Sequence, residues 1–198
     1  KMSRIKKVDL DDWDKDLREM TAADSGTPLE QGAMRMFAHT PEISKGLTAF
    51  AGSLKQNRSL PDRLIELVRL RIAFHNQCRS CMAIRYKDGQ EDGITEDLVC
   101  SLEKPMEADN LSDAEKAAIQ YGELFATNHL AINDAIYDNL RKYFNESEIV
   151  ELSMTVAFFV GFGRLAASYH MVEELPESFQ ADEKETLTPW GNDSIIVR

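Results

Sequence analysis

The sequence predicts an all-α fold, a helical bundle with a repeated helical unit. Three observations carry that expectation. Apolar residues recur at helical steps along most of the chain. Two segments open with a capping-box pattern. No stretch reads as a convincing strand. The 198 residues can bury a sizeable core and point to one domain, or one domain with extensions.

The elements follow in order. Leu10, Trp13, Leu17 and Met20 predict an N-terminal helix. Ile43, Leu47, Phe50 and Leu54 form a second stripe. Pro61, behind Ser59, sits near the start of a third helix, where its missing N–H costs little. That helix carries Leu64, Leu67, Val68 and Ile72. Asp88-Gly89 and Asp92-Gly93 punctuate the middle. Ser112-Asp113-Ala114-Glu115 opens a helix through about Phe125, and Asn145-Glu146-Ser147-Glu148 opens a long apolar one. Between them, residues 132–144 read as a further helix. Glu66-Leu67-Val68-Arg69-Leu70 echoes Glu148-Ile149-Val150-Glu151-Leu152, as a duplicated helical unit would. Pro176 marks the end of the last packed helix. The expected organisation is an N-terminal helical extension over 1–29, a helical domain over 30–175, and a tail over 176–198. The tail is expected to be loose or to form an arm on a neighbouring subunit.

The net charge is −11, from 23 basic and 34 acidic residues. An acidic chain gains nothing from counterion release on a phosphate backbone, so nucleic acid is not an expected partner. An anionic membrane surface is excluded on the same ground. The start, Lys1-Met2-Ser3-Arg4-Ile5-Lys6-Lys7, is basic with no apolar run behind it, so no signal peptide is expected. The most apolar stretch, 149–167, is interrupted by Glu151, Ser153 and Arg164, so no membrane span is expected. The expected location is a reducing cytoplasm, where a close cysteine pair is more often catalytic or metal-binding than structural.

The chain has three cysteines. Cys100 stands alone, while Cys78 and Cys81 form a C-x-x-C pair. Residues three apart on a helix share a face, so the two sulfurs can form a disulfide or reach one metal. Asn76 is a good N-cap; a helix starting there puts both cysteines in its first turn, where free N–H groups favour thiolate. Arg79 and Arg85 add positive charge nearby. A closed zinc site needs four ligands, and only His75 stands within reach of the pair. The other plain reading is two buried, inert cysteines. Glu66, twelve positions before Cys78, comes near Arg85 if the chain folds back around Asn76. A carboxylate there could accept the Cys81 proton. A simple Glu66–Arg85 or Glu66–Arg69 surface pair is the alternative, and spacing alone favours it. No bound cofactor and no metal is expected.

Glu66 followed by Cys78-x-x-Cys81, with Asn76-Gln77 ahead of the pair, resembles the signature of the alkyl hydroperoxidase D-like branch of the carboxymuconolactone decarboxylase superfamily. The segments 111–118 and 145–164 resemble that family's following helices, and the likeness covers roughly residues 30 to 170. The resemblance implies an all-helical, oligomeric enzyme that reduces hydroperoxides or partner disulfides and is reset by an external dithiol. It implies Cys81 as the attacking thiolate, Cys78 as the resolving thiol, and Glu66 in a proton relay. Two positions depart from the family. Arg85 stands four residues after Cys81, where a His is usual, and Ser80 stands where a His can precede the second cysteine. Arginine cannot serve as a base at neutral pH, but it can hold a thiolate or orient Glu66. Two rival readings are a decarboxylase-like lyase, which needs no cysteine pair, and a non-catalytic helical oligomer that has lost its relay.

Overall fold

The computed structural model describes residues 3–197. Lys1, Met2 and Arg198, the outermost residues of the two expected extensions, lie outside the described residues. The axis of the fold is α5 (Asp62–Asn76), eleven of whose 15 residues are buried. It packs against α9 (Asp113–Thr127) and α11 (Glu146–Tyr169). Leu67, Leu70 and Ile72 of α5 are buried in the main core with Ile119 of α9 and Leu152 and Val156 of α11. Each such side chain contributes about 1.5–3 kcal/mol relative to exposure.

Both capping boxes form as the sequence reads. The Ser112 hydroxyl accepts from Glu115 N–H, and the Glu115 carboxylate accepts from Ser112 N–H at 2.8 Å. Asn145 and Glu148 do the same at the head of α11. A third box, Thr27 with Glu30, opens α2 (Pro28–Gln31). Between α9 and α11 the expected helix is shorter than read, as α10 (Asp134–Arg141), capped by Asn133.

The N-terminal stripe does not form one helix. It is a 3-10 turn at Leu10–Asp12, then α1 (Lys15–Met20). Asp14 makes the break: its carboxylate caps Leu17 N–H at 3.0 Å, and that local bond competes with helix continuation. Next come α3 (Met34–Phe37) and α4 (Pro41–Gln56). The stripe on α4 is not uniformly buried, since Ile43 is 74% exposed.

Three sequence expectations are corrected. First, two short strands exist: β1 (Ile84–Tyr86) pairs in parallel with β2 (Ile195–Val197), in the register Ile84 to Ile195. A three-residue strand has no readable periodicity, and its partner lies over a hundred residues away. Second, the tail is not loose. It folds back on its own chain, burying Phe179 and Val197 against Met82 and Ala83. Third, the interruptions read in 149–167 do not disqualify α11, which is long and apolar enough to cross a membrane by length and composition. It lies instead along α5 and α9, and its Arg164 donates to Asn76 Oδ1 at 3.0 Å.

Candidate active site

The cysteine pair sits on a sharp reversal after α5. Asn76 ends that helix rather than capping the next one, and Gln77 takes a left-handed conformation at φ 49°. A non-glycine residue is uncommon there. Gln77 is held in place by its side chain, which donates to Phe74 O at 2.7 Å and Leu187 O at 3.0 Å and accepts from Leu187 N–H at 2.9 Å. Cys78 is then the N-cap of α6 (Arg79–Ala83), and Cys81 lies in its first turn. Their sulfurs are joined in a disulfide, with Cα atoms 5.2 Å apart. Cys81 N–H points at Cys78 Sγ at 3.4 Å, and Ser80 Oγ lies 3.7 Å from the same sulfur.

The two arginines expected beside the sulfurs serve the tail instead. Arg79 donates to the carbonyls of Phe179, Ala181, Asp182 and Glu185, at 2.6 to 3.2 Å. Arg85 is fully buried and reaches Met82 O, Pro189 O and the Glu96 carboxylate. Five donors in a rigid fork suit arginine to gathering irregular carbonyls.

Glu66 does not meet Arg85. It pairs with Arg69, one turn on, through two bonds of 2.6 and 2.8 Å. The pair is buried, not on the surface as spacing alone favoured. Gly89 in α7 (Lys87–Glu91) permits this close packing: a Cβ there would stand 2.9 Å from Glu66 Cγ. Glu66 also accepts from Tyr86 N–H at 3.3 Å. Arg69, which the sequence reading offered only as a surface partner, donates to Cys81 O and Ile84 O, both at 2.8 Å, and lies over the Tyr86 ring. Burial disfavours its charge, but the Glu66 carboxylate raises its pKa above the ordinary arginine value. The i,i+3 spacing of Glu66 and Arg69 was the available signal; the carbonyls it would reach were not readable.

His75 turns away from the cysteines. Its Nε2 lies 3.2 Å from Glu123 Oε1. That histidine and the Arg71 guanidinium hold the Glu123 carboxyl down to about 2, against the opposing effect of burial. Among the described residues, no three His, Cys, Asp or Glu side chains converge on a metal position.

Only one of the two cysteines faces open space. Cys78 is fully buried. Cys81 lines a cavity of about 760 Å³ together with Arg69, Ser80 and Tyr86. The rest of the lining is largely apolar, with Phe158, Phe159 and Phe162 of α11 on one side and Leu29, Met34 and Phe37 on another.

The chain matches the carboxymuconolactone decarboxylase family over residues 41–124, which takes in Glu66, Arg69 and both cysteines. This segment belongs to that family. The match is narrower than the span over which the sequence resembles the family. The fold is AhpD-like: the chain superposes on the alkylhydroperoxidase AhpD core of a peroxidase-related protein from Ralstonia eutropha. The TM-score there is 0.70 at 18% identity, covering 90% of this chain and 95% of that one. A protein of unknown function from Agrobacterium tumefaciens superposes with a TM-score of 0.58 at 21% identity, covering 70% and 93%. An uncharacterised protein of Mycobacterium tuberculosis is 29% identical over 121 residues, 60% of this chain and 42% of that protein. The chain thus spans less than half the length of that relative.

Within the carboxymuconolactone decarboxylase family segment, the two departures now have physical content. Arg85 is held by the Glu96 carboxylate, Met82 O and, in the tail, Pro189 O, and offers neither a base nor a free charge to Cys81. Ser80 supplies a hydroxyl beside Cys78.

Proposed function

We propose that this protein is a thiol-dependent peroxidase, with Cys81 as the attacking thiolate and Cys78 as the resolving thiol. One observation carries the reading: Cys81 opens on the cavity while Cys78 is sealed behind it. Cys81 thiolate attacks the terminal oxygen of a hydroperoxide. The O–O bond breaks, the alkoxide takes a proton from water, and Cys81 becomes a sulfenic acid. Cys78 thiolate then attacks the Cys81 sulfur and expels hydroxide, which leaves as water. An external dithiol attacks the accessible Cys81 sulfur and expels Cys78 as thiolate; its second thiol frees Cys81. Cys81 N–H and the Ser80 hydroxyl stand where they stabilise that leaving thiolate. Low leaving-group pKa speeds exchange. The same geometry serves a disulfide reductase, in which a partner disulfide replaces the peroxide.

Glu66 acts through Arg69 as a positioning residue: the ion pair fixes the guanidinium that holds the Cys81 carbonyl. Arg85 has no proton role in this scheme. A reducing cytoplasm is the proposed setting. The apolar side chains left outside on α4 and α11, such as Ile43, Phe50, Val150 and Met154, support a homo-oligomer, which light scattering tests. The lyase reading has no geometric support comparable to the cavity-facing thiol.

The deciding experiment is sulfenate trapping and mass spectrometry on the reduced protein after stoichiometric hydroperoxide. Cys78→Ser accumulates a sulfenate at Cys81, Cys81→Ser accumulates none at Cys78, and the wild type forms the disulfide that a dithiol reverses. Equal trapping in both variants overturns the roles. No oxidation at all overturns the chemistry.

A further inference from the structure

We propose that the C-terminal tail, residues 177–197, is a redox-gated strap. It docks on the cysteine loop when Cys78 and Cys81 are joined and loosens when they are reduced. The inference rests on the reversible disulfide of the thiol-peroxidase reading and adds a regulatory element to that site. The tail lies beyond the family-matched segment 41–124. Yet its fastenings converge on the loop itself.

Gln77, just before Cys78, exchanges two bonds with the Leu187 backbone, at 3.0 and 2.9 Å. Arg79, between the cysteines, takes the carbonyls of Phe179, Ala181, Asp182 and Glu185. Met82 and Ala83 pack with Phe179 and Val197. Arg85 donates to Pro189 O at 2.6 Å, and β1 pairs with β2. The tail supplies little order of its own. Between the 3-10 turn at Glu177–Phe179 and β2, residues 180–194 form no helix or strand.

The loop is equally dependent. Its helix α6 has five residues, far below the length at which a helix stands alone in water. Two fasteners therefore hold it, the Cys78–Cys81 bond across its first turn and the tail along its length. Each orders the loop that the other needs ordered, so each lowers the entropy cost of the other. Reduction takes two electrons and two protons from a dithiol, which leaves as its own disulfide. The S–S bond breaks and two thiols remain. The tail then bears the ordering cost of the loop alone and docks more weakly. The coupling runs backwards by the same factor: an undone tail makes the disulfide easier to reduce.

The test uses the full chain and no peroxide. Hydrogen exchange is read at Leu187 N–H and along β2, in the oxidised protein and after reduction with dithiothreitol. Reduction is expected to speed exchange at these amides by at least about tenfold. This measurement needs no variant. The second readout is the equilibrium of the cysteine pair with a glutathione couple. Arg79→Ala removes the anchor on the loop side, and Leu187→Pro removes the N–H that donates to Gln77 Oε1. Both variants are expected to favour the reduced pair by at least about threefold, and by no more than the factor seen in exchange. A role confined to overall stability lowers both redox forms alike and leaves this equilibrium unmoved. Equal exchange in the two redox states, or slower exchange in the reduced one, overturns the strap and leaves the peroxidase chemistry standing. So does an unchanged equilibrium in both variants, or a shift that a raised Cys81 alkylation inflection accounts for by charge. A disulfide that dithiothreitol does not reduce reversibly overturns the strap and the thiol reading together.

Discussion

The two sides of the Cys78–Cys81 loop are made of different materials. On the Cys81 side lies an apolar chamber whose polar fixture is the Glu66–Arg69 pair. On the Cys78 side, Gln77, Arg79 and Arg85 gather backbone groups of the tail between Phe179 and Pro189. Charge near a cysteine in sequence is therefore no guide to charge near its sulfur. The arginine one residue from Cys78 belongs to the tail, and the arginine twelve residues before Cys81 holds that cysteine's carbonyl. One side arranges the reacting atom; the other fastens the loop that carries it.

The sharpest way to break this comparison is Arg69→Leu. Glu66 is nearly inaccessible, so removing its partner leaves a buried carboxylate uncompensated, at a cost of about 3–5 kcal/mol. Urea denaturation reads the loss. The double variant Glu66→Gln, Arg69→Leu recovers part of it, because the stranded charge is gone. A single-variant loss below about 1 kcal/mol contradicts the buried-pair account.

Arg79→Ala attacks the other side. It releases four carbonyls, and the tail can turn them to water, so the expected loss is smaller, about 2 kcal/mol. Limited proteolysis within 179–187 accelerates. The pH dependence of Cys81 alkylation in the reduced protein stays as in the wild type. A raised inflection means that Arg79 does act on the sulfur and that the division into two sides fails.

A smaller effect is expected at the seam between α5 and α11. A Cβ on Gly163 would stand 2.6 Å from Asn76 Nδ2, which bonds to Phe159 O at 3.2 Å. Gly163→Ala therefore displaces Asn76, with a loss of about 1–2 kcal/mol in thermal or urea unfolding. Asn76 closes α5 just before the cysteine loop, so disulfide formation slows as well. Unchanged stability shows that α11 can shift without disturbing the loop.

What the sequence made legible was local. The capping boxes at Ser112 and Asn145 depend on neighbours three residues apart, and they form as read. The C-x-x-C pair forms the disulfide that was one of its open readings, with Cys81 in the first turn and Cys78 at the cap rather than inside the helix. The i,i+3 partner of Glu66 was readable, but its burial was not, because burial comes from Gly89 and the β1 segment closing over it. The pairing of β1 with β2 and the fate of Arg79 and Arg85 depend on contacts a hundred residues away. No pattern in a three-residue strand or a polar tail announces such contacts. Asn76 was misread because Cys78 itself supplies the cap through its sulfur.

The smallest predicted effect concerns the outer face of α5, where His75 faces Glu123 and Arg71 instead of the cysteines. The Glu123 carboxyl is held at about 2, below its ordinary value of 4.5. A folded-state pKa that is depressed contributes stability in full above the unfolded value, and the contribution fades as pH falls from about 4.5 towards 2. With the carboxylate partly exposed, solvent screening leaves about 1 kcal/mol of that contribution at neutral pH. Glu123→Gln is therefore less stable than wild type at pH 7 by about that amount, and the difference narrows below about pH 4.5 and closes only near about pH 2. Comparing the two proteins cancels the similar acid loss from Glu174, whose carboxyl is also held at about 2, by Arg35 and Lys7. A difference constant with pH removes the ionic origin of the effect. Cysteine oxidation rates should match in the two proteins; a slower rate in Glu123→Gln instead shows that His75 acts on the cysteine pair, from which its geometry separates it.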